Sequence, residues 1–188
     1  MDQVQRAAFE RLMLPHLDDA YNLARWLTGN RSDAEDVVQE AYLKAMKHFG
    51  TFRGPEARPW LLTIVRRCCF SWLRVNRPHQ LVFTDNDAAI EMANRSTVVT
   101  LYPTATETPE ATLADKEMRE QLHQAVADLA PHYREVIVLR ELQGCSYREI
   151  SEIAGIPIGT VMSRLARARE HLTTAMERQV GHGAAHGL

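Results

Sequence analysis

Apolar positions recur at three- and four-residue spacing over residues 5–76 and again over residues 113–178. This period is typical of amphipathic helices that bury one face. Between these stretches, residues 78–112 mix prolines, threonines, asparagines and acids without a sustained helical period. The pattern predicts an all-α protein with two small helical domains, residues 1–77 and 113–178, joined by a flexible linker.

The chain ends in "GHGAAHGL", which predicts a disordered tail over residues 179–188. His182 and His186 lie four positions apart and could bind a metal ion from one face of a helix. Glycines on both sides disfavour that helix. We therefore expect a solvated tail and no metal site.

The segment "RSDAEDVVQEAYLKAMKHFG" predicts a helix in which Ser32 is the N-cap and Glu35 completes a capping box. The apolar residues expected to face a core are Val37, Val38, Ala41, Tyr42, Ala45 and Phe49. The opposite face is acidic where the helix starts. Acids there also favour the positive end of the helix dipole, so a solvated surface explains each one as well as a binding surface does.

The loop "TFRGPEARPW" brings two aromatic side chains, Phe52 and Trp60, close to two arginines, Arg53 and Arg58. Aromatic rings beside guanidinium groups can stack an unpaired base. Alternatively, the rings fill the core between two helices. For Trp60, which starts an apolar stripe, the core position is the favoured interpretation.

The helix predicted from "WLLTIVRRCCFSWLRVNR" has two chemically different sides. The core side is expected to hold Leu61, Ile64, Val65, Cys68, Trp72 and Val75, with Cys69 at its border. The opposite side is expected to hold Arg66, Arg67, Phe70, Arg74 and Arg77. No acid occurs between Glu56 and Asp85, so these arginines lack a local counter-ion. Phe70 suits a groove for single-stranded nucleic acid, although it could also pack against a neighbouring helix.

In the second half, "LADKEMREQLHQAVADLAPHYREVIVLRELQG" predicts two helices separated at Ala130-Pro131 and ended by Gly144. The apolar positions of the second of these helices are Val136, Ile137, Leu139 and Leu142. These helices are interpreted as the scaffold of the domain.

The segment "YREISEIAGIPIGTVMSRLARARE" predicts two short helices that meet at a glycine, Gly155. A capping box of Ser146 and Glu149 should start the first helix. The residues expected to point inward are Ile150, Ile153, Val161 and Leu165, and those expected outward on the last helix are Thr160, Ser163, Arg164 and Arg167. This is the helix-turn-helix pattern, whose last helix enters the DNA major groove. Arginine there can bond guanine or phosphate.

The amino-acid composition excludes several classes of protein. With 45% hydrophobic and 24% charged residues, no long apolar stretch and no signal peptide, we expect a soluble cytoplasmic protein without membrane contact of its own. A net charge of −2 leaves only local patches for DNA. The three cysteines, Cys68, Cys69 and Cys145, have no CxxC spacing. No catalytic constellation, phosphate loop or metal cluster is recognisable, so we expect neither an enzyme nor a cofactor.

Three motifs follow one another along the chain: "DAEDVVQEAYLKA", "FRGPEARPWLLTIVRR" and "YREISEIAGIPIGTVMSRLARARE". Together they resemble bacterial sigma factors of the extracytoplasmic function (ECF) group, over nearly all of the chain except linker and tail. The resemblance implies a first domain that binds core RNA polymerase and melts and reads the downstream promoter element. It implies a second domain that reads the upstream element, and an anti-sigma factor that occludes both surfaces.

The resemblance also assigns residues to three surfaces. Those expected to face polymerase are Asp33, Glu35, Asp36, Gln39 and Glu40. Those expected to face opened DNA are Arg53, Arg58, Arg66, Arg67, Phe70 and Arg74. Those expected to face the upstream duplex are Arg148, Thr160, Ser163, Arg164 and Arg167.

Two positions depart from the family pattern. Met162 stands where the family commonly has a cation, and Ser151 replaces an alanine, so its hydroxyl must find a backbone acceptor at a small cost. Two rival interpretations are a stand-alone helix-turn-helix repressor or activator and a small nucleic-acid enzyme. A repressor would not need the basic helix of the first half, and an enzyme would need catalytic groups.

Overall fold

The computed structural model describes residues 2–81 and 113–185. The first range, here the N-terminal bundle, contains α1 (Gln3–Met13), α2 (Leu17–Thr28), α3 (Arg31–His48) and α4 (Ala57–Asn76). The second range, here the C-terminal bundle, contains α5 (Leu113–Asp128), α6 (Pro131–Ile137), α7 (Tyr147–Ala154) and α8 (Ile158–Ala185). The all-α prediction is confirmed.

The predicted N-cap of α3 is wrong by two residues. Asn30, not Ser32, adopts the extended backbone of a cap, and its Oδ1 accepts the backbone N–H of Asp33 at 2.9 Å. Glu35 instead pairs with Arg31 one turn earlier, at 2.7 Å. Asparagine caps helices as well as serine does, and Gly29 before it takes the positive φ of 84° that ends α2, so α3 starts earlier than predicted. The predicted core face of α3 is confirmed, because its apolar residues are buried or half-buried.

The predicted core face of α4 is only partly correct. Val75 is 79% exposed, whereas Leu62, Cys69 and Leu73 are fully buried. The buried surface is therefore wider than a single stripe, because α4 packs against both α2 and α3. Cys69 does not lie at a border: it is enclosed, and burial raises the pKa of its thiol.

The C-terminal bundle follows the predicted boundaries at Ala130-Pro131 and Gly144. Between them, α6 continues into one π-helical turn, Val138–Leu142. Leu142 lies on the outside of this turn and is exposed, although its apolar neighbours before it are buried.

The ends of the two predicted domains differ from expectation. The short 3₁₀ helix Pro78–Leu81 buries Gln80 against the N-terminal bundle, so ordered structure passes residue 77. The remainder of the predicted linker, residues 82–112, lies outside the described residues. Helix α8 continues into the predicted tail as far as Ala185, and residues 186–188 lie outside the described residues.

The two bundles contact each other directly. Arg134 of α6 is fully buried and donates a hydrogen bond from Nη1 to the carbonyl oxygen of Trp26, at 3.0 Å. Gln143 donates from Nε2 to the carbonyl oxygen of Asp19, at 2.7 Å. The ring of His123 stacks on Trp26 with centroids 5.2 Å apart, and its burial there lowers the pKa of His123. The bundles thus share one continuous apolar core.

Candidate nucleic-acid interface

The helix-turn-helix consists of α7, the turn at Gly155 and the start of α8. Ser146 and Glu149 form the predicted capping box: Ser146 Oγ accepts the Glu149 N–H at 3.2 Å, and Glu149 Oε2 accepts the Ser146 N–H at 2.7 Å. These hydrogen bonds lower the pKa of Glu149. Gly155 ends α7 at a φ of 66°, a conformation that favours glycine.

The side chains that hold α8 in place are the predicted ones. Ile150 and Ile153 of α7 and Val161 and Leu165 of α8 are all buried. Because these four residues fix the rotation of α8, its opposite face points away from the bundle. Ser163 and Arg167 lie on that face and are exposed, as predicted for a recognition helix.

Ser151 finds the backbone acceptor that its position requires. Its Oγ donates to the carbonyl oxygen of Ile156 at 2.6 Å, across the turn between α7 and α8. We expect Ser151→Ala to lower the free energy of unfolding by about 1 kcal/mol, because the carbonyl loses a donor in a half-buried place. Urea denaturation measures this change. Ser163→Ala is the matched control: its hydroxyl donates to Thr160 in an exposed place, so its stability should stay close to that of the wild type.

Two of the residues predicted to face the upstream duplex have other contacts. Arg164 is not fully outward: its side chain is 20% exposed, and its Nη1 lies 3.5 Å from Oε1 of Glu135. Thr160 is half-buried. Arg148 is 85% exposed and pairs with Glu152 on the same helix at 3.2 Å. The helix therefore offers a narrower exposed surface than its period indicates, because Glu135 holds one arginine inward.

The predicted basic face of α4 divides into an exposed part and a covered part. Arg67 and Arg74 are exposed. Arg66 instead donates two hydrogen bonds to Glu135 of α6, Nε to Oε2 at 2.9 Å and Nη2 to Oε1 at 3.3 Å. Its guanidinium also lies over the ring of Phe70, 4.4 Å from the centroid. Phe70 is half-buried and packs against the core, so in this structure it serves as a helix-packing residue.

The loop before α4 also has an exposed arginine and aromatic rings that pack against the core. Arg53 is exposed and donates to the backbone carbonyls of Gly50 and Phe52. Phe52 stacks on Phe49 and lies 5.3 Å from the ring of Trp60, and both Phe52 and Trp60 pack against the core. The aromatic pair therefore fills the core of the N-terminal bundle, which supports the structural interpretation of Trp60.

Arg58 points toward the C-terminal bundle. Its Nε donates to Oδ2 of Asp19 at 2.6 Å, its Nη2 to the carbonyl oxygen of Gln143 at 2.7 Å, and its Nη1 to Sγ of Cys145 at 3.3 Å. Asp19 raises the pKa of Arg58, so the guanidinium stays charged. This arginine connects the bundles.

Four of the five residues predicted to contact polymerase are exposed on α3. Glu35, Asp36, Gln39 and Glu40 are exposed, and Glu40 pairs with Lys44 at 2.6 Å. Asp33 is half-buried because Asn30 binds both its backbone N–H and its carboxylate. Asp33 therefore serves the start of the helix.

Sequence reasoning missed Glu135 and Arg134, which organise the contact between the bundles. Both directly precede the apolar run "VIVL" and are fully buried. Two adjacent charges next to such a run were a usable signal, since buried charges require partners. The partners themselves, Trp26 for Arg134 and Arg66 for Glu135, are distant in sequence and gave no local sign. Burial raises the pKa of Glu135, whereas Arg66 and Arg164 act in the opposite direction.

Comparison with protein families covers both bundles. Residues 12–78 match the model for sigma-70 region 2, and residues 119–172 match the model for sigma-70, region 4. The RNA polymerase sigma-H factor of Pseudomonas aeruginosa is 31% identical over 183 residues, which cover 94% of this chain and 92% of that protein. The ECF RNA polymerase sigma-E factor of Escherichia coli is 36% identical over 146 residues, covering 77% of this chain and 74% of that protein. The chain belongs to the ECF sigma factors.

Two solved structures share the fold. The sigma factor RpoE from Bartonella quintana, solved with the anti-sigma factor NepR, has a TM-score of 0.68 at 24% identity, covering 90% of this chain and 97% of that chain. CnrH, solved with the cytosolic domain of CnrY, has a TM-score of 0.62 at 22% identity, covering 92% and 90%. In this ECF sigma factor, none of the helices within the described residues combines the length and apolar character needed to cross a bilayer.

Proposed function

We propose that this ECF sigma factor binds core RNA polymerase and directs promoter-specific initiation of transcription. The observation that carries the proposal is the match of both helical bundles, in order, to the two sigma-70 regions. Residues 1–77 would bind polymerase and melt and read the downstream promoter element, and residues 113–178 would read the upstream element. The chain would act in the cytoplasm, by binding rather than by catalysis.

The proposed polymerase surface is the outer face of α3. Glu35, Asp36, Gln39 and Glu40 are exposed there along successive turns, which gives a partner a strip of carboxylates and an amide. Asp33 supports this strip from the N-terminal turn. Such a surface favours a basic partner through electrostatic complementarity.

The proposed DNA surfaces lie on α4 with its preceding loop and on the helix-turn-helix. The exposed cations Arg53, Arg67 and Arg74 support the first, and Arg148 and Arg167 support the second. Arg58, Arg66 and Phe70 complete the first surface once the bundles separate. Arg164 borders the second surface, where Thr160 and Ser163 allow close approach to the backbone of the duplex. A stand-alone repressor is disfavoured because the region 2 match has no role in it.

We further propose that an anti-sigma factor holds the protein inactive until a stress signal. RpoE and CnrH, which share this fold, were both solved with a bound partner, NepR and CnrY respectively. A partner that packs between the bundles would cover the polymerase and DNA surfaces together. Co-purification with a candidate inhibitor tests this proposal; an inhibitor that binds tightly yet leaves polymerase and promoter binding intact would contradict it.

The direct test of the proposed function is reconstitution. The purified chain should co-elute with core RNA polymerase and allow it to initiate on selected promoters. Core enzyme that gains no promoter selectivity from the chain, while the chain binds duplex DNA by itself, would instead favour the repressor.

The polymerase surface makes a specific prediction. Reversing charge at Asp36 and Glu40, both to lysine, should weaken binding to core polymerase by about tenfold or more, because two attractive carboxylates become repulsive. Pull-down at several chain concentrations measures this. Glu10→Lys with Glu177→Lys makes the same change in net charge at exposed positions of α1 and α8 and should leave recovery unchanged. Wild-type recovery from the Asp36 and Glu40 variant would mean that these carboxylates are only solvated.

A further inference from the structure

Glu135 lies where the two proposed DNA surfaces meet. Its side chain has no exposed area, and it binds Arg66 of the downstream surface and Arg164 of the upstream surface. Each of these arginines retains only 20% of its side-chain exposure. One carboxylate therefore binds an arginine from each surface at the same time.

The contacts resemble those that a phosphate group would make. Arg66 presents two N–H groups to the two oxygens of Glu135, at 2.9 and 3.3 Å. This fork geometry serves carboxylates and phosphates equally well. Arg66 also covers one face of Phe70. An arginine bound to Glu135 and a ring beneath it are both unavailable to a DNA strand.

A second set of contacts holds the same arrangement near the start of α4. Arg58, also assigned to opened DNA, donates to the carbonyl oxygen of Gln143 and to Sγ of Cys145 in the C-terminal bundle. Gln143 in turn donates to the carbonyl oxygen of Asp19 in the N-terminal bundle. Separating the bundles would release Arg66 from Glu135 and Arg58 from Gln143 and Cys145, whereas Arg164 and Glu135 belong to the same bundle.

We propose that the chain closes on itself without any partner, and that Glu135 competes as an internal carboxylate with DNA phosphate for Arg66 of the other bundle, while Arg164 binds the same carboxylate from within the C-terminal bundle. DNA binding then requires opening. The identity of the covered surfaces rests on the proposed function, whereas the closure is a property of the chain alone. If only a fraction of the chain is open, the apparent affinity for DNA falls by that fraction.

The test measures opening and DNA binding in the same full-length variants. Dyes placed at the exposed positions Lys47 and Thr174 report the open fraction by single-molecule energy transfer. Glu135→Gln should raise the open fraction by about tenfold, because removing one partner of a buried ion pair leaves two guanidinium groups without their counter-charge. Affinity for a mixed-sequence duplex and a mixed-sequence single strand, at one salt concentration, should rise by the same factor as the open fraction.

Two further variants distinguish the effect of opening on DNA affinity from the effect of net charge. Glu141→Gln removes an exposed carboxylate of the same bundle, paired with Arg169 at 2.7 Å, and makes the same change in net charge. It should leave the open fraction unchanged and strengthen DNA binding only through its charge. Gln143→Ala leaves the net charge unaltered but removes a hydrogen bond between the bundles. It should therefore raise the open fraction, as Glu135→Gln does. If Glu135→Gln does not fold, Gln143→Ala alone tests the proposal.

The proposal is overturned if Glu135→Gln and Gln143→Ala leave the open fraction at the wild-type value. It is equally overturned if they open the chain while DNA affinity rises no more than in Glu141→Gln. Failure of the proposed function has a different signature: the wild-type chain would not support initiation by core polymerase, whatever the energy-transfer measurement gives.

Discussion

Replacing Arg134 by methionine should lower the free energy of unfolding by about 3 kcal/mol or more. The guanidinium of Arg134 donates to the carbonyl oxygens of Trp26, Ala127 and Leu129. Methionine fills a similar volume but leaves three carbonyls without this donor, at roughly 1–3 kcal/mol each, partly offset because a buried charge is removed. That charge is costly, since burial lowers the pKa of Arg134 to about 10.

Guanidinium denaturation followed by circular dichroism measures this effect. Arg148→Met is the matched control, because Arg148 is 85% exposed and its loss should change stability by less than about 0.5 kcal/mol. Equal stability of the two variants would mean that water replaces the donor groups of Arg134. Because Trp26 belongs to the other bundle, Arg134→Met should also raise the open fraction of the chain.

Arg167→Ala should weaken binding to the upstream promoter element by about 1–3 kcal/mol if the guanidinium reads a base. Arg167 is exposed on the outer face of α8, two positions after Leu165, which is buried and fixes the helix. Loss of a base contact should also relax sequence preference at one position. Titration of the Arg167→Ala holoenzyme against promoter fragments with single base changes measures both effects.

A phosphate contact by Arg167 has a different signature. Affinity would then fall equally on all sequences, and the dependence on salt would become shallower. Arg169→Ala is the matched control: it removes the same charge from the same helix, at a side chain that lies 2.7 Å from Glu141 and is not assigned to the DNA surface. Wild-type affinity of Arg167→Ala on every sequence would contradict a role for Arg167 in DNA binding.

The local elements were largely predictable because their causes are local. The capping box at Ser146, the stop at Gly155 and the inward residues of the helix-turn-helix follow from short-range hydrogen bonds and the helical period, and all are confirmed. The misplaced start of α3 also has a local cause, because Asn30 two residues earlier provides the cap in place of Ser32.

The sequence by itself determined the helices, the two matched regions and the family, since each depends on residue patterns within one segment. Only the tertiary structure decided which cations of those segments are exposed. Helical period predicts a face, but it cannot say whether another element covers that face. Arg66 and Arg164 belong to segments far apart in the chain, and both turn inward because Glu135 is buried between them and a buried carboxylate requires counter-charges.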